Sequence, residues 1–357
     1  MTVIDLFAGC GGWDHAAREL GLDPLGIEWN ADACATREAV GLRTLQADIA
    51  ALDPADFAPC EGLIASPPCQ DFSVAGKGAG RDGDRGQLVD EVMRWTDALR
   101  PRWVACEQVP PVLPIWREFA HRMEGWGYRT WCGLLSSERY GVPQTRQRAI
   151  LMASLDGPVT PPAPTHQEYR HGEPARREVG LFGDLEPWVS MAEALGWGMT
   201  ERPGMCLAPG KTGDGRAWGS DTHGSAQRAL VERDRGAWIL DRRQTGAPVI
   251  DTCPTLTGAA IAKGVWTFTR PAYTITGMDG VRAGGVVGPS EGQGYQKQRE
   301  NAIRLTLPEG LILQGFPPDY PVQGTKTAQW LQVGNAIPPP LALAVLRQVV
   351  PAMEAAA

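Results

Sequence analysis

The chain has 357 residues, 43% hydrophobic and 21% charged, with a formal net charge of −7 at pH 7. This balance suits a soluble globular enzyme of one large and one smaller domain and excludes fibrous and low-complexity classes; no apolar run reaches the ~20 residues that span a bilayer. Acidity weighs against a nucleic-acid partner, but it is uneven: residues 154–300 hold 16 Lys and Arg against 17 Asp and Glu, and the excess lies elsewhere.

The N-terminal "MTVIDLFAGCGG" carries no basic leader and reaches a glycine-rich turn within a dozen residues, so a cytoplasmic protein is expected. "TVIDLF" reads as a buried strand, "AGCGG" as a tight turn, and "WDHAAREL" as a helix with Trp13, Ala16, Ala17 and Leu20 on one face, stopped by Gly21. Further strands are expected at "PLGIEWN", "TLQADI", "GLIASPP", "WVACEQV", "YRTWCGLL" and "RAILMAS". Between Gln87 and Arg100, Leu88, Val92, Trp95 and Leu99 fall at helical spacing before Pro101. Alternating strands and helices imply an α/β fold with a mostly parallel sheet covered on both faces. From about residue 156 the texture turns rich in Pro and charge, and the helical period weakens. "PTLTG" at 254–258 and "YTITG" at 273–277 read as two neighbouring strand–turn units. The apolar "LALAVLRQVV" closes the chain as a helix that returns to the first domain.

Eight cysteines (Cys10, Cys34, Cys60, Cys69, Cys106, Cys132, Cys206, Cys253) contain no C-x-x-C pair, and the five histidines share no metal-like spacing with them. Free thiols and no structural zinc are expected.

A glycine turn between the first strand and first helix places backbone N–H groups and a helix N-terminus beside a ligand. Glu28, at the next strand end and roughly 20 residues on, can hydrogen-bond ribose hydroxyls. Trp29 can stack on a base, and Asp48, after the third strand, can accept from an exocyclic amine. Three successive strand ends thus point to an adenosine-containing cofactor, and "AGCGG" does not match the dinucleotide G-x-G-x-x-G. In "ASPPCQDFSVAGKGAGRDGDRGQ" two prolines stiffen the approach to Cys69, whereas Gly76, Gly78, Gly80, Gly83 and Gly86 leave the chain beyond it free to move.

Six blocks in one order, "DLFAGCGG", "SPPCQDFS", "EQV", "QTRQR", "RLTLPEGLILQGFP" and "GNAIPPP", resemble the signature blocks of the bacterial and phage DNA (cytosine-5-)-methyltransferases. The resemblance implies a class I S-adenosylmethionine-dependent methyltransferase fold, Rossmann-like, with a smaller target-recognition domain and extrusion of the target cytosine from duplex DNA. The expected division is a catalytic domain over 1–156, a target-recognition domain with the ninth block over 157–320, and a C-terminal return over 321–357. A monomer is expected, in a restriction-modification setting with or without a cognate restriction endonuclease.

The resemblance carries roles residue by residue. Carbon-5 of cytosine is a poor nucleophile, so its methylation needs a thiolate added at carbon-6. Cys69 is the matching thiol, Glu107 the acid at nitrogen-3, Arg148 the group on the carbonyl oxygen and Arg146 a support for the thiol site. Cys106 faces the other side of its strand, as core. The resemblance places Phe7, Gly9, Cys10, Gly11, Gly12, Glu28, Trp29, Asp48 and Ile49 at the cofactor, with Pro68 and Leu88; Asn335 and Ala336 complete its methionine end. Gln70, Ser73, Lys77, Arg81 and Arg85 would ride a loop that closes over DNA, and Gln144 is a further DNA-contacting residue.

The family's usual Glu-Asn-Val is here Glu107-Gln108-Val109, and the extra methylene is expected to shift an amide that braces the loop around the cysteine. Two other readings stand beside the leading one: a tRNA-directed relative, which normally has a shorter variable region, and a DNA-binding regulator without catalysis, which would not need Cys69, Glu107, Arg146, Arg148 and Asn335 together.

Overall fold

The computed structural model describes residues 2–68, 72, 81, 83, 86–170, 178–180, 183–189, 191–195, 272–273 and 306–351. Cys69, Gln70, Ser73, Lys77 and Arg85, the "PTLTG" unit and most of the expected recognition domain lie outside the described residues.

Strands β1 (Val3–Leu6), β2 (Leu25–Glu28), β3 (Thr44–Gln46), β4 (Gly62–Ala65), β5 (Trp103–Gln108), β6 (Arg129–Ser136) and β8 (Gln147–Ser154) form one seven-stranded sheet. Its order is β3-β2-β1-β4-β5-β8-β6. All neighbours run parallel except β8, which is antiparallel to both β5 and β6. Two-residue β7 (Gln144–Thr145) precedes β8 and pairs with β11 (Ala272–Tyr273), while β9 (Glu178–Gly180) and β10 (Gly183–Leu185) form a hairpin. The chain steps outward from β1 to β3 and then returns to β4 on β1's other side, so the sheet's switch point lies at the carboxyl ends of β1 and β4.

The central strands are buried on both faces, which explains their near-continuous apolar runs. Ile4, Leu6, Val104 and Cys106 face one core, built from α3 (Glu91–Leu99) and α4 (Leu113–Glu124) through Trp95, Trp116, Phe119 and Met123. Val3, Ile64, Trp103 and Ala105 face the other, where α1 (Gly12–Glu19) packs against the last helix, α8 (Pro339–Val349). Helix α2 (Ala31–Ala39) follows β2, and α5 (Met191–Ala194) is a single turn. Helices α6 (Leu307–Gln314) and α7 (Lys326–Asn335) close over the glycine turn: Leu311, Phe316, Tyr320 and Val333 cluster with Cys10.

Both ends of the stretch expected as the smaller domain, 157–320, make contacts with the sheet domain. Val159 sits in the α1–α8 core and the Tyr140 hydroxyl donates to the Pro162 carbonyl at 3.0 Å. Residues 307–320 pack with the glycine turn. Composition changes near 156 because the segment is proline-rich, yet its apolar residues still find the first core.

Beyond it the chain is tethered to the turn Ser137–Tyr140, where Thr165 and His166 donate their backbone N–H groups to the Arg139 carbonyl. Glu138 in that turn is 5% exposed, with Oε2 lacking a partner. Burial, helped by the Glu168 charge, pushes its carboxyl up to about 7. The raised acid binds its proton more tightly in the fold than in the unfolded chain, so its contribution is complete below the ordinary glutamate range and is lost as pH rises to about 7. Glu138→Gln should therefore raise the melting temperature at pH 8, by at most about 3 kcal/mol of stability. The gain should shrink toward zero at pH 4.5, as read by thermal denaturation at both values.

Candidate active site

The turn after β1 is left-handed at Phe7, Gly9 and Gly11, with φ of 58°, 53° and 99°. For Phe7 this is an uncommon conformation for a residue with a side chain. Two of the glycines are required by close packing: a Cβ on Gly12 would strike the Ile337 carbonyl oxygen, and one on Gly11 would strike Leu42 and lie 3.2 Å from the Tyr320 hydroxyl. The turn is thereby clamped between the first helix and the C-terminal return. Cys10 is 1% exposed, its thiol 3.6 Å from the Gln332 carbonyl, so toward the strand ends it offers backbone only.

Glu28, at the end of β2, accepts from the Gly9 N–H at Oε2 (2.9 Å) and from the Asn30 N–H at Oε1 (2.8 Å). Each oxygen keeps a lone pair for a further donor. Beside it Trp29 is 62% exposed, an open aromatic face. Asp48 caps the 3₁₀ turn Ile49–Ala51 by accepting from the Ala50 N–H at 3.0 Å, and Ile49 is buried beneath. Pro68 and Leu88 are half-buried; Asn335 is exposed at the end of α7, and the Ala336 carbonyl accepts from Gln314 at 2.6 Å. A glycine turn, an acid with spare lone pairs and an exposed indole suit the ribose and base of S-adenosylmethionine.

One residue of this half has no signature in the sequence. Arg94 of α3 donates to the Ile49 carbonyl at 2.8 Å and the Leu52 carbonyl at 2.9 Å, fastening the Asp48–Leu52 turn to the helix.

Two strands away, Glu107 ends β5 at 4% exposure, and Arg148 of β8 meets it with Nε 2.8 Å from Oε1. Antiparallel pairing sets Glu107 opposite Ile150, which brings the start of β8 past the acid. Oε2 accepts from the Ser66 hydroxyl at 3.1 Å, and Ser66 Oγ accepts from the Trp13 indole at 2.9 Å. Arg146 is 1% exposed, its carbonyl held by the Ser137 N–H and hydroxyl, each at 2.9 Å. Cys106 lies in the opposite core, where burial pushes its thiol well above the ordinary range.

Gln108 keeps a brace on the segment before the cysteine in spite of its extra methylene. Its side chain folds back: Nε2 donates to the Pro67 carbonyl at 2.5 Å while Oε1 accepts from the Val109 N–H at 2.5 Å.

Two of the residues expected at DNA have partners within the protein. Gln144 is fully buried, its amide 3.0 Å from the Leu313 carbonyl and 2.7 Å from Gln314 Oε1, so it ties β7 to α6. Arg81 is not a free cation: Asp90 at 2.5 Å and Glu118 at 2.9 Å both hold its guanidinium, which also lies 5.8 Å from the Phe119 ring. A short amide beside a two-residue strand and a loop arginine give no sequence signal of these partners, which come from α6, the residue that caps α3, and α4.

At the switch point, then, the glycine turn, Glu28 and Asp48 on β1–β3 stand on one side and an acid–guanidinium pair on β5 and β8 on the other, with the Pro67–Pro68 lead to a cysteine between them. The family model for C-5 cytosine-specific DNA methylase matches residues 1–185 and 265–350. Among curated proteins the chain is 26% identical to the Type II methyltransferase M.NgoFVII of Neisseria gonorrhoeae over 98% of its own length and 86% of that protein's. It is 27% identical to M1.HphI of Haemophilus parahaemolyticus, over 98% and 86%. Among solved structures, a putative DNA modification methyltransferase encoded within an E. coli prophage shares the fold, with a TM-score of 0.58, 19% identity and 98% coverage of both chains. The chain belongs to the C-5 cytosine-specific DNA methylase family, and its chemistry is methyl transfer from S-adenosylmethionine to carbon-5 of cytosine in DNA.

Proposed function

We propose that Cys69 is the nucleophile of this reaction and Glu107 its acid, acting on a cytosine extruded from duplex DNA at a specific sequence. The observation that carries the reading is the Glu107 carboxyl group, buried between Arg148 and Ser66 and one strand from the Pro67–Pro68 lead to Cys69. The Cys69 thiolate adds to carbon-6 while Glu107 gives a proton or a strong hydrogen bond to nitrogen-3, so that charge does not build up on the ring. S-adenosylmethionine supplies an electrophilic methyl group when bound, with Glu28, Trp29, Asp48 and the glycine turn as its holders. Arg148 faces the base's carbonyl oxygen while keeping Glu107 in place, and Arg146 supports the thiol site. Once carbon-5 carries the methyl group, loss of its proton to water re-forms the carbon-5–carbon-6 double bond and expels Cys69 as thiolate, and nitrogen-3 returns its proton to Glu107. Pro68, Leu88, Asn335 and Ala336 line the methyl end. Gln70, Ser73, Lys77 and Arg85 grip phosphate as the loop closes, with Arg81 joining them once it leaves its carboxylates.

The central stretch, with its near-neutral charge and its roughly 145 residues between 156 and 300, reads the sequence in the groove and favours duplex DNA over tRNA. The relatives' names as Type II methyltransferases support a restriction-modification role with a cognate endonuclease. Among the described residues no helix is long and apolar enough to cross a membrane, and a cytoplasmic monomer fits the reading.

Cys69→Ser should abolish methylation, because a serine alkoxide is far harder to generate than a thiolate, and should leave S-adenosylmethionine binding intact by calorimetry. Normal turnover of tritiated methyl by that variant would sink the covalent step. Duplex DNA containing 5-fluorocytosine should form a denaturant-stable adduct with the wild-type enzyme, since fluorine blocks the proton loss that frees Cys69. Glu107→Gln should slow single-turnover methylation by about 10²–10⁴-fold with little change in DNA affinity. A chimera carrying residues 165–301 on the frame of a relative of different specificity should methylate the present protein's site. Whole-plasmid methylation mapping that returned the frame donor's site would move recognition into the catalytic blocks.

A further inference from the structure

We infer that Trp13 and Ser66 form a hydrogen-bond relay that positions Glu107, so that the acid is aimed from the first turn of α1. This deepens the proposed role of Glu107 and rests on it.

An indole nitrogen is a donor with no acceptor capacity, and a serine hydroxyl has one proton and two lone pairs. Trp13 Nε1 lies 2.9 Å from Ser66 Oγ and occupies one of those lone pairs. The hydroxyl proton is then turned toward Glu107 Oε2, 3.1 Å away. Arg148 Nε, also a pure donor, holds Oε1 at 2.8 Å. The carboxyl group is thus held at both oxygens by directional donors, Ser66 after β4 and Arg148 of β8, and the first of these is aimed in turn by Trp13 of α1. The Trp13 end of the relay is fixed by packing, since its ring is 2% exposed and clusters with Ala16, Ala17 and Leu341.

Packing alone does not account for the indole's orientation. Trp95 and Trp103 are fully buried in the same protein, and neither indole N–H has a partner among the described residues. Trp13, at comparable burial, sends its own to a polar chain that ends on the acid. Trp13 also adjoins Gly12, where a Cβ would strike the Ile337 carbonyl oxygen. The closely packed glycine turn and the donor that aims Ser66 at the acid therefore share the first turn of α1. A proton donor displaced by a fraction of an ångström from a base nitrogen loses much of its effect.

The test uses the full-length enzyme, unmethylated bacteriophage DNA and tritiated S-adenosylmethionine in single turnover. Trp13→Phe keeps the ring and removes the N–H; Ser66→Ala removes the link. Each should slow methyl transfer by about 5–20-fold, the effect of one directed hydrogen bond, with KM for cofactor and DNA within about twofold of wild type. The double variant should be no slower than Ser66→Ala, and Ser66→Thr, which keeps a hydroxyl, should restore most of the rate. In a Glu107→Gln background neither change should slow the reaction further. Multiplying losses in the double variant, an unchanged rate in Trp13→Phe, or a loss confined to cofactor KM would overturn the relay. Full activity of Glu107→Gln by itself would instead remove the acid assignment. If Trp13→Phe melts early, the comparison of Ser66→Ala with Ser66→Thr decides alone, and equal rates for that pair overturn the inference.

Discussion

The bidentate pair between Asp14 and Arg37 is the interaction around which the cofactor half is assembled. Both side chains are fully buried, with Nη1–Oδ2 at 2.7 Å and Nη2–Oδ1 at 2.8 Å, and they tie α1 to α2 beneath the glycine turn. The guanidinium also donates to Thr44 Oγ1 at 3.1 Å and the Arg43 carbonyl at 3.2 Å, which fixes the start of β3. Space for it exists because residue 26 is glycine: a Cβ there would overlap the guanidinium. Such a pair gives little net stability over apolar packing, but removing one partner leaves a buried charge and costs about 3–5 kcal/mol. Its consequence is orientation, since α1, β2 and β3 can meet in only one arrangement.

Asp5 completes this network. It is fully buried on β1 beside Asp14, and its carboxyl oxygens have no neutralising partner of their own. Burial first, and the Asp14 charge second, hold its carboxyl well above the usual range, as expected of an acid in a dry interior beside a second carboxyl group. Arg37 on α2, Glu28 on β2 and Cys106 on β5 also face this group, and only Arg37 opposes the upward shift.

What was legible in the sequence is what depends on neighbours in the chain. Strand, glycine turn and helix follow from local apolar pattern, and so do "SPPCQ" and the acid that ends "WVACEQV", because backbone geometry and chemistry there are set within a few residues. The missed features are all long-range. Gln144 meets residues 169 and 170 positions further on, Trp13 meets Ser66 across 53, and Arg94 meets Leu52 and Ile49 across 42 and 45. No period or spacing announces such pairs; the sheet order creates them. Composition marks a change of local texture near 156, whereas Val159 and Leu311 are apolar residues that join the cores within their reach. The Gln108 side chain takes up its longer reach by folding back onto the Val109 N–H, a local arrangement that no backbone rule forbids.

Ion pairing within the chain also bears on how an acidic protein meets a polyanion. Several of its arginines have carboxylate partners: Arg81 with Asp90 and Glu118, Arg100 with Asp97, Arg102 with Asp156. These pairs are exposed, so each is held weakly and is screened by salt. A phosphate that takes a guanidinium from a carboxylate exchanges one ion pair for another, and the net gain is smaller than for a free cation. Attraction to any duplex is therefore modest. Groove contacts and contacts to the extruded base must then contribute a larger share of the binding free energy at the right site, enough to offset the cost of unstacking that base, and the ratio of specific to non-specific binding rises as the bulk electrostatic term falls. In this molecule a net charge of −7 works in favour of discrimination.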